Sequence, residues 1–216
     1  MIPRLVSVDP GDPSGWAYWA VEEGGRWLLR AFGELADPDG ASILTLLGRV
    51  VGDCQGVDFV VEGQWYRDPE PIVRDIRRAS GRGRKGTRWT SPKTGRVLEV
   101  DIAAKRGGAP WDCVAKIVAC RGRWESQASS AGMRLHDPVA PGRWIPATTK
   151  GHPERDTHKR IRDVTIKRYG DAFSRLGYDE AAAILLGEYW IIEHGGLVTR
   201  AGAPTRGLRD VPEEGA

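Results

Sequence analysis

Short apolar runs separated by turn residues open the chain and predict three consecutive β-strands. A stretch with apolar residues at helical spacing comes next, and a brief, largely apolar run typical of a buried parallel strand follows it. Helical spacing then returns three times. We therefore expect strands over residues 5–8, 16–21, 27–35 and 58–61, extended pieces at 134–136 and 143–145, and helices over 42–51, 111–132, 156–169 and 179–192. This order of elements predicts an α/β fold.

The composition is that of an ordinary globular domain. The chain has 216 residues and a mass of 23.7 kDa, with 40% hydrophobic and 28% charged residues. These values exclude collagen-like, coiled-coil and wholly disordered chains. The longest apolar stretch, residues 181–192, is interrupted by Glu188 and falls short of the roughly 20 residues that a membrane span requires. The N-terminus shows no signal-peptide pattern, so a cytoplasmic protein without membrane contact is expected.

The charge is unevenly distributed along the chain. Residues 74–106, here called the basic arm, carry eleven basic and three acidic side chains, a local charge of +8 that leaves −5 for the remainder of a chain with formal charge +3. The arm, within which residues 87–100 predict a hairpin, fits the electrostatic footprint of a phosphate backbone, and it equally fits a solvated loop. The candidates for nucleic-acid contact are Arg82, Arg84, Lys85, Arg88, Lys93, Arg96, Lys150 and Arg160.

Three acidic residues stand where predicted elements begin or end. Asp9 follows the first strand, Glu62 follows the fourth, and Asp179 opens the last helix. Buried carboxylates are costly unless they are paired or bind a metal, and oxygen ligands without Cys or His suit Mg²⁺ or Mn²⁺. Two such ions would support phosphodiester hydrolysis. Ordinary roles remain open, with Asp9 as a turn former and Asp179, beside Glu180, as a helix cap.

At these residues the sequence resembles the RuvC-type Holliday junction resolvases of bacteria and phages, members of the ribonuclease H-like nuclease superfamily. Residues 8–11 (VDPG) with 14–17 (SGWA) are similar to the family's first-strand signature. Residues 61–64 (VEGQ) are similar to its second acidic motif, and residues 178–183 (YDEAAA) to its final helix. The three motifs occur in the family's order, and the likeness covers most of residues 4–192 outside the basic arm.

This resemblance implies a ribonuclease H-like mixed five-stranded sheet flanked by helices. It also implies an endonuclease that uses two Mg²⁺ or Mn²⁺ ions, acts as a homodimer on branched DNA such as a four-way junction, and serves DNA recombination and repair. Carried over by position, Asp9, Glu62 and Asp179 are the catalytic metal ligands. Ala182 stands where many relatives have a further acid, so Glu180 is a candidate fourth catalytic carboxylate.

The expected organisation is a nuclease domain over residues 1–194, with a basic insertion at about 67–110, and a mobile tail over 195–216. Two other functions remain open. One is a nuclease of the same fold acting on RNA or an RNA–DNA hybrid, because the carboxylates recognise phosphate chemistry rather than the sugar. The other is a DNA-binding protein with a decayed site, which Ala182 and the basic arm favour. If the protein is phage-encoded, the expected compartment is the host cytoplasm.

Overall fold

The computed structural model describes residues 2–63, 87–90, 97–100, 110–200 and 205–206. The chain divides into two compact units, Met1–Gln64 with Lys116–Ala216, and Trp65–Ala115. The larger unit contains a mixed sheet with helices on both faces, and the smaller unit includes a β-hairpin. No helix among the described residues is long and apolar enough to cross a membrane.

The strands of the larger unit form one mixed sheet around a central antiparallel meander. The described strands of the chain are β1 (Arg4–Asp9), β2 (Ser14–Val21), β3 (Arg26–Leu35), β4 (Asp58–Val61), β5 (Thr87–Thr90), β6 (Val97–Val100), β7 (Arg134–Leu135), β8 (Leu197–Thr199) and β9 (Thr205–Arg206). Strands β1 to β3 are antiparallel, β4 runs parallel to β1, and β7 runs parallel to β4. Strands β8 and β9 run parallel to β3 at the opposite edge.

Two layers of helices cover the sheet. The described helices are α1 (Gly40–Val50), α2 (Pro110–Ser130), α3 (Pro141–Thr149), α4 (Thr157–Tyr169) and α5 (Tyr178–Glu193). On one face, Ile43 of α1 and Trp124 of α2 join a core with Trp16 of the sheet. On the other face, side chains of α3, α4 and α5 pack against Trp19.

The residues of β1 alternate between these two cores, because successive side chains of a strand point to opposite faces. Leu5 lies in the core beside α5, whereas Val6 and Val8 lie in the core beside α1 and α2. Ser7 donates its hydroxyl to the carbonyl of Ala183 in α5, at 2.8 Å. The next residue on that face is Asp9, so the strand period directs its carboxylate towards the α5 layer.

The predicted mixed sheet flanked by helices is confirmed, and among the described residues it has seven strands rather than the expected five. The predicted hairpin is also observed, since β5 and β6 pair antiparallel with Thr87 opposite Val100. Its turn, residues 91–96, lies outside the described residues. The domain boundaries stay a prediction.

One predicted element is wrong. The sequence predicts residues 143–145 as an extended piece near Pro138 and Pro141, but they belong to α3. Pro141 lies in the first turn of that helix, where its missing N–H costs no hydrogen bond and its fixed φ favours the helix. The correction matters for function because Trp144 of this helix contacts one of the acidic residues considered below.

Candidate active site

Asp9 and Glu62 lie side by side at the carboxyl ends of two parallel strands. Val8 pairs with Val61 in the register of β1 and β4, and the backbone N–H of Glu62 donates to the carbonyl of Val8 at 2.9 Å. Val60 belongs to the core beside α5, so the strand period brings Glu62 to the same face as Asp9. Both side chains are buried, with 8% of Asp9 and 7% of Glu62 exposed.

Asp179 reaches this edge because the first turn of α5 presses against the sheet. Gly15, the β2 residue that pairs with Asp9, lies directly under the helix start. A Cβ atom on Gly15 would stand 1.9 Å from the carbonyl oxygen of Asp179, a distance that no side chain tolerates. A glycine at position 15 is therefore what allows the helix to begin beside Asp9.

The three carboxylates influence one another electrostatically. Burial raises the pKa of Asp9 well above its ordinary value, and the charges of Glu62 and Asp179 raise it further. Burial likewise raises the pKa of Glu62 to about 7, with the charge of Asp179 acting in the same direction. For Asp179, burial again raises the pKa, and the charge of His158 opposes the rise. The structure thus brings together the three acids that the sequence singled out, at a cost in charge repulsion.

Trp144 orients one of these acids. Its indole Nε1–H donates to Oε2 of Glu62 at 2.8 Å, and the ring is fully buried. This hydrogen bond favours the ionised carboxylate and lowers the pKa of Glu62 against the larger effect of burial. Sequence reasoning missed Trp144 because the tryptophan comes from a helix that had been predicted as an extended piece.

Tyr178 and His158 form the wall of the site beside Asp179. Their rings stack at a centroid distance of 3.9 Å and an interplanar angle of 15°. Burial raises the pKa of Tyr178, and the charges of Asp9, Glu62 and Asp179 raise it further. The phenol therefore stays protonated and can donate a hydrogen bond next to the carboxylates. The adjacency of Tyr178 to Asp179 in the chain was the available signal for its proximity.

Glu180 and Ala182 occupy different surroundings from the three acids. The side chain of Glu180 is fully buried, and its Oε2 accepts a hydrogen bond of 2.8 Å from the backbone N–H of Gly177, which closes the start of α5. Ala182 is fully buried in the core between α5 and the sheet. The helix-capping role considered from the sequence thus belongs to Glu180, and a catalytic role for this residue stays a prediction.

The donor chemistry of Asp9, Glu62 and Asp179 fits a hard divalent cation, because an ion there would offset the cost of burial, and the smaller effect of neighbouring negative charges, that raises their pKa values. Among the residues that the structure describes, however, no three His, Cys, Asp or Glu side chains are grouped closely enough to hold a metal ion as they stand. Metal binding at this edge would therefore require the carboxylates to draw closer together.

The residues predicted to contact nucleic acid are only partly described. Lys150 is exposed directly after α3, and Arg160 is half-buried in α4. Arg88 belongs to β5 in the hairpin, and its side chain is not described. The remaining candidates, Arg82, Arg84, Lys85, Lys93 and Arg96, lie outside the described residues. Their role in nucleic-acid contact stays a prediction.

No protein-family model matches the chain, and no curated protein matches it. Among solved structures, the chain is similar to RuvC of T. thermophilus in complex with a Holliday junction substrate, with 12% identity, coverage of 89% of this chain and 96% of that one, and a TM-score of 0.47. It is also similar to the fowlpox virus resolvase solved with substrate Holliday junction DNA, with 14% identity, coverage of 89% and 99%, and a TM-score of 0.42.

A third similar structure is the yeast mitochondrial Holliday junction resolvase Ydc2, with 9% identity, coverage of 88% of this chain and 78% of that one, and a TM-score of 0.45. Identities and TM-scores of this size carry no information on activity or substrate. The function of this chain has to be derived from its own residues.

Proposed function

We propose that the protein is a metal-dependent endonuclease that cuts phosphodiester bonds in branched DNA, with four-way junctions as the preferred substrate. The observation that carries the proposal is the position of buried Asp9 and Glu62 and half-buried Asp179 at one edge of the sheet. There the charges of Glu62 and Asp179 raise the pKa of Asp9, and the charge of Asp179 raises the pKa of Glu62. Such an arrangement is unfavourable by itself and becomes favourable when cations bind. The order of the three acidic motifs in the sequence supports the same activity.

Asp9, Glu62 and Asp179 would hold the metal, Mg²⁺ or Mn²⁺, with two ions per site. When bound, the metal supplies an activated water and stabilises the oxygen that leaves from phosphorus. Glu62, whose pKa is raised to about 7, would have to release its proton to solvent in order to act as a metal ligand. Trp144 meanwhile retains one Glu62 oxygen by its indole N–H, so the other oxygen is free to turn towards a cation.

Tyr178 and the start of α5 complete the site. The protonated phenol of Tyr178 can donate to a phosphate oxygen beside Asp179, and the stacked ring of His158 limits its movement. The hydrogen bond from Gly177 to Glu180 keeps the first turn of α5 in place. The basic arm and Lys150 would contact DNA phosphates without base specificity. A homodimer would present two such sites to symmetry-related strands.

The test is the pair of variants Asp9→Asn and Asp163→Asn. Asp9→Asn removes a ligand charge but no basic residue, so it should abolish Mg²⁺-dependent cutting of a labelled four-way junction and leave junction binding in EDTA intact. Asp163 is exposed on α4, and the same chemical change there should affect neither. Undiminished cutting by Asp9→Asn would refute the assignment of the site, and joint loss of binding and cutting would refute the separation of these two tasks.

A DNA-binding protein with a decayed site is the second candidate, and the basic arm together with an alanine rather than an acid at position 182 favours it. In that case Mg²⁺ and Mn²⁺ leave every substrate intact while salt-sensitive binding persists. Parallel cleavage assays on a junction, a flap, a duplex and an RNA–DNA hybrid separate this outcome from a hybrid-specific nuclease and from the junction nuclease proposed here.

A further inference from the structure

A fully buried acid, Glu188, organises a group of basic residues away from the carboxylate site. Its Oε1 accepts hydrogen bonds from Nη1 of Arg168 at 3.0 Å and from Nε of Arg200 at 3.2 Å. Its Oε2 accepts from the hydroxyl of Tyr169 at 2.8 Å. A buried carboxylate with this many donors is well compensated. Glu188 thus fixes two guanidinium groups from separate segments at one place.

These guanidinium groups line a surface pocket of about 690 Å³. We call it the basic pocket, and its charged and titratable lining consists of Lys150, His152, Lys167, Arg168 and Arg200. The described lining includes four cationic side chains and no acidic one, and Glu188 pairs with two of them, Arg168 and Arg200. Lys150 and Lys167 are exposed and form no ion pair with another described residue. The pocket therefore carries a net positive charge available to an anion.

Helices α4 and α5 connect the basic pocket to the candidate active site. His158 of α4 stacks on Tyr178 of α5 beside the carboxylates, and ten residues later in each helix Arg168 meets Glu188. The two helices therefore run in the same direction from the active site to the pocket. Asp179 and Glu188 are nine residues apart, which corresponds to about 14 Å along the helix. One strand of DNA carries a phosphate for about every 3.4 Å of helix axis, so this separation spans roughly four nucleotides.

We infer that the basic pocket binds the phosphate backbone of a nucleic-acid strand at a point several nucleotides from the bond that is cut. The inference rests on the proposed function, because it places the same strand at both ends of α4 and α5. The lining favours a polyanion over a small organic ligand, since its reachable groups are long cationic side chains rather than the apolar walls of small-molecule sites. Lysines act there as point charges for phosphates, and the anchored arginines supply directed N–H donors.

The test removes the two lysines and leaves the arginines that hold Glu188. In Lys150→Gln/Lys167→Gln, the slope of log affinity against log salt for a labelled four-way junction in EDTA should fall by about two, because each phosphate contact contributes roughly 0.9. Binding at 0.1 M salt should weaken roughly 10- to 100-fold. The matched control is Arg49→Gln/Arg123→Gln, which removes the same charge from exposed positions of α1 and α2 on the other face of the sheet.

Equal slopes and affinities for the two double variants would overturn the inference, provided that circular dichroism shows both to be folded. A second arm uses inorganic phosphate as the probe. If phosphate raises the melting temperature of the wild type but not of the lysine variant, while junction affinity is equal in both, the pocket binds free phosphate and the inference is again overturned. Failure of the proposed function gives a different result, because the wild type then leaves the junction uncut in Mg²⁺ whatever the lysine variant does to binding.

Discussion

Replacement of Glu62 by glutamine tests the electrostatic cost of the candidate active site. Glu62 is 7% exposed, and its pKa rises from an ordinary 4.5 to about 7 in the folded chain. Because the folded state holds the proton more tightly than the unfolded state, the protonated carboxyl stabilises the fold at low pH. That stabilisation is complete below about 4.5 and is lost as the pH rises through about 7. The rise in pKa corresponds to about 3 kcal/mol.

We therefore expect the free energy of unfolding of the wild type to fall by about 3 kcal/mol between pH 4.5 and pH 8 through this residue, measured by urea denaturation in EDTA. Glutamine is uncharged throughout this range and can still accept the hydrogen bond from Trp144. Glu62→Gln should accordingly lose less stability with rising pH and be more stable than the wild type at pH 8. Its Mg²⁺-dependent cutting should disappear at the same time, because the carboxylate that destabilises the fold is also a proposed metal ligand.

The control for this experiment is Glu23→Gln, at an exposed turn position where the same change should leave the pH dependence as in the wild type. Identical pH profiles for Glu62→Gln and the wild type would refute the reasoning. Addition of Mg²⁺ at pH 8 provides a second readout. It should stabilise the wild type by mass action, by about 2.7 kcal/mol at a hundredfold excess over Kd, and should stabilise Glu62→Gln much less.

Two further substitutions test how the site is built. Gly15→Ala places a Cβ 1.9 Å from the Asp179 carbonyl oxygen, so it should displace the start of α5. We expect this variant to be less stable by about 1–3 kcal/mol in urea denaturation and to cut junctions more slowly. A stable, fully active variant would contradict this. Trp144→Phe removes the N–H that donates to Glu62, which should raise the pKa of Glu62 and shift the pH profile of cutting to higher pH. The free energy of unfolding should fall by about 1–3 kcal/mol. An unchanged profile would show that this hydrogen bond does not tune the carboxylate.

The positions of Asp9 and Glu62 could be predicted from the sequence because they follow from local patterns. Each acid directly follows an apolar strand, and parallel strands bring their carboxyl ends to one edge. Asp179 was predictable for a related reason, since it opens an apolar helix that has to cover the sheet. Strand period and the start of the last helix thus indicated the same edge of the sheet for all three acids, and the close approach at Gly15 completes the arrangement.

The surroundings of these acids could not be predicted in the same way. Trp144 lies 82 positions from the Glu62 that it contacts, and Arg168 and Arg200 lie 20 and 12 positions from Glu188. No local periodicity encodes such pairs, because they depend on how α3, α4 and the segment after β8 pack against α5. Pro138 and Pro141 favoured an extended piece before Trp144, but Pro141 lies in the first helical turn, where proline is compatible with a helix.

The acid missing at Ala182 does not by itself indicate a decayed site. In the proposed two-metal site, three ionised carboxylates would leave two divalent cations with one uncompensated positive charge, which the single negative charge of a phosphodiester would match. A fourth acid at position 182 would enter a core that is fully closed to solvent, where an added charge is costly. Glu180 cannot easily supply that charge either, because its carboxylate caps α5 through Gly177. A site of three acids is therefore electrostatically suited to hold metal and substrate together, and cleavage by the wild type but not by Asp9→Asn is the result that this charge balance requires.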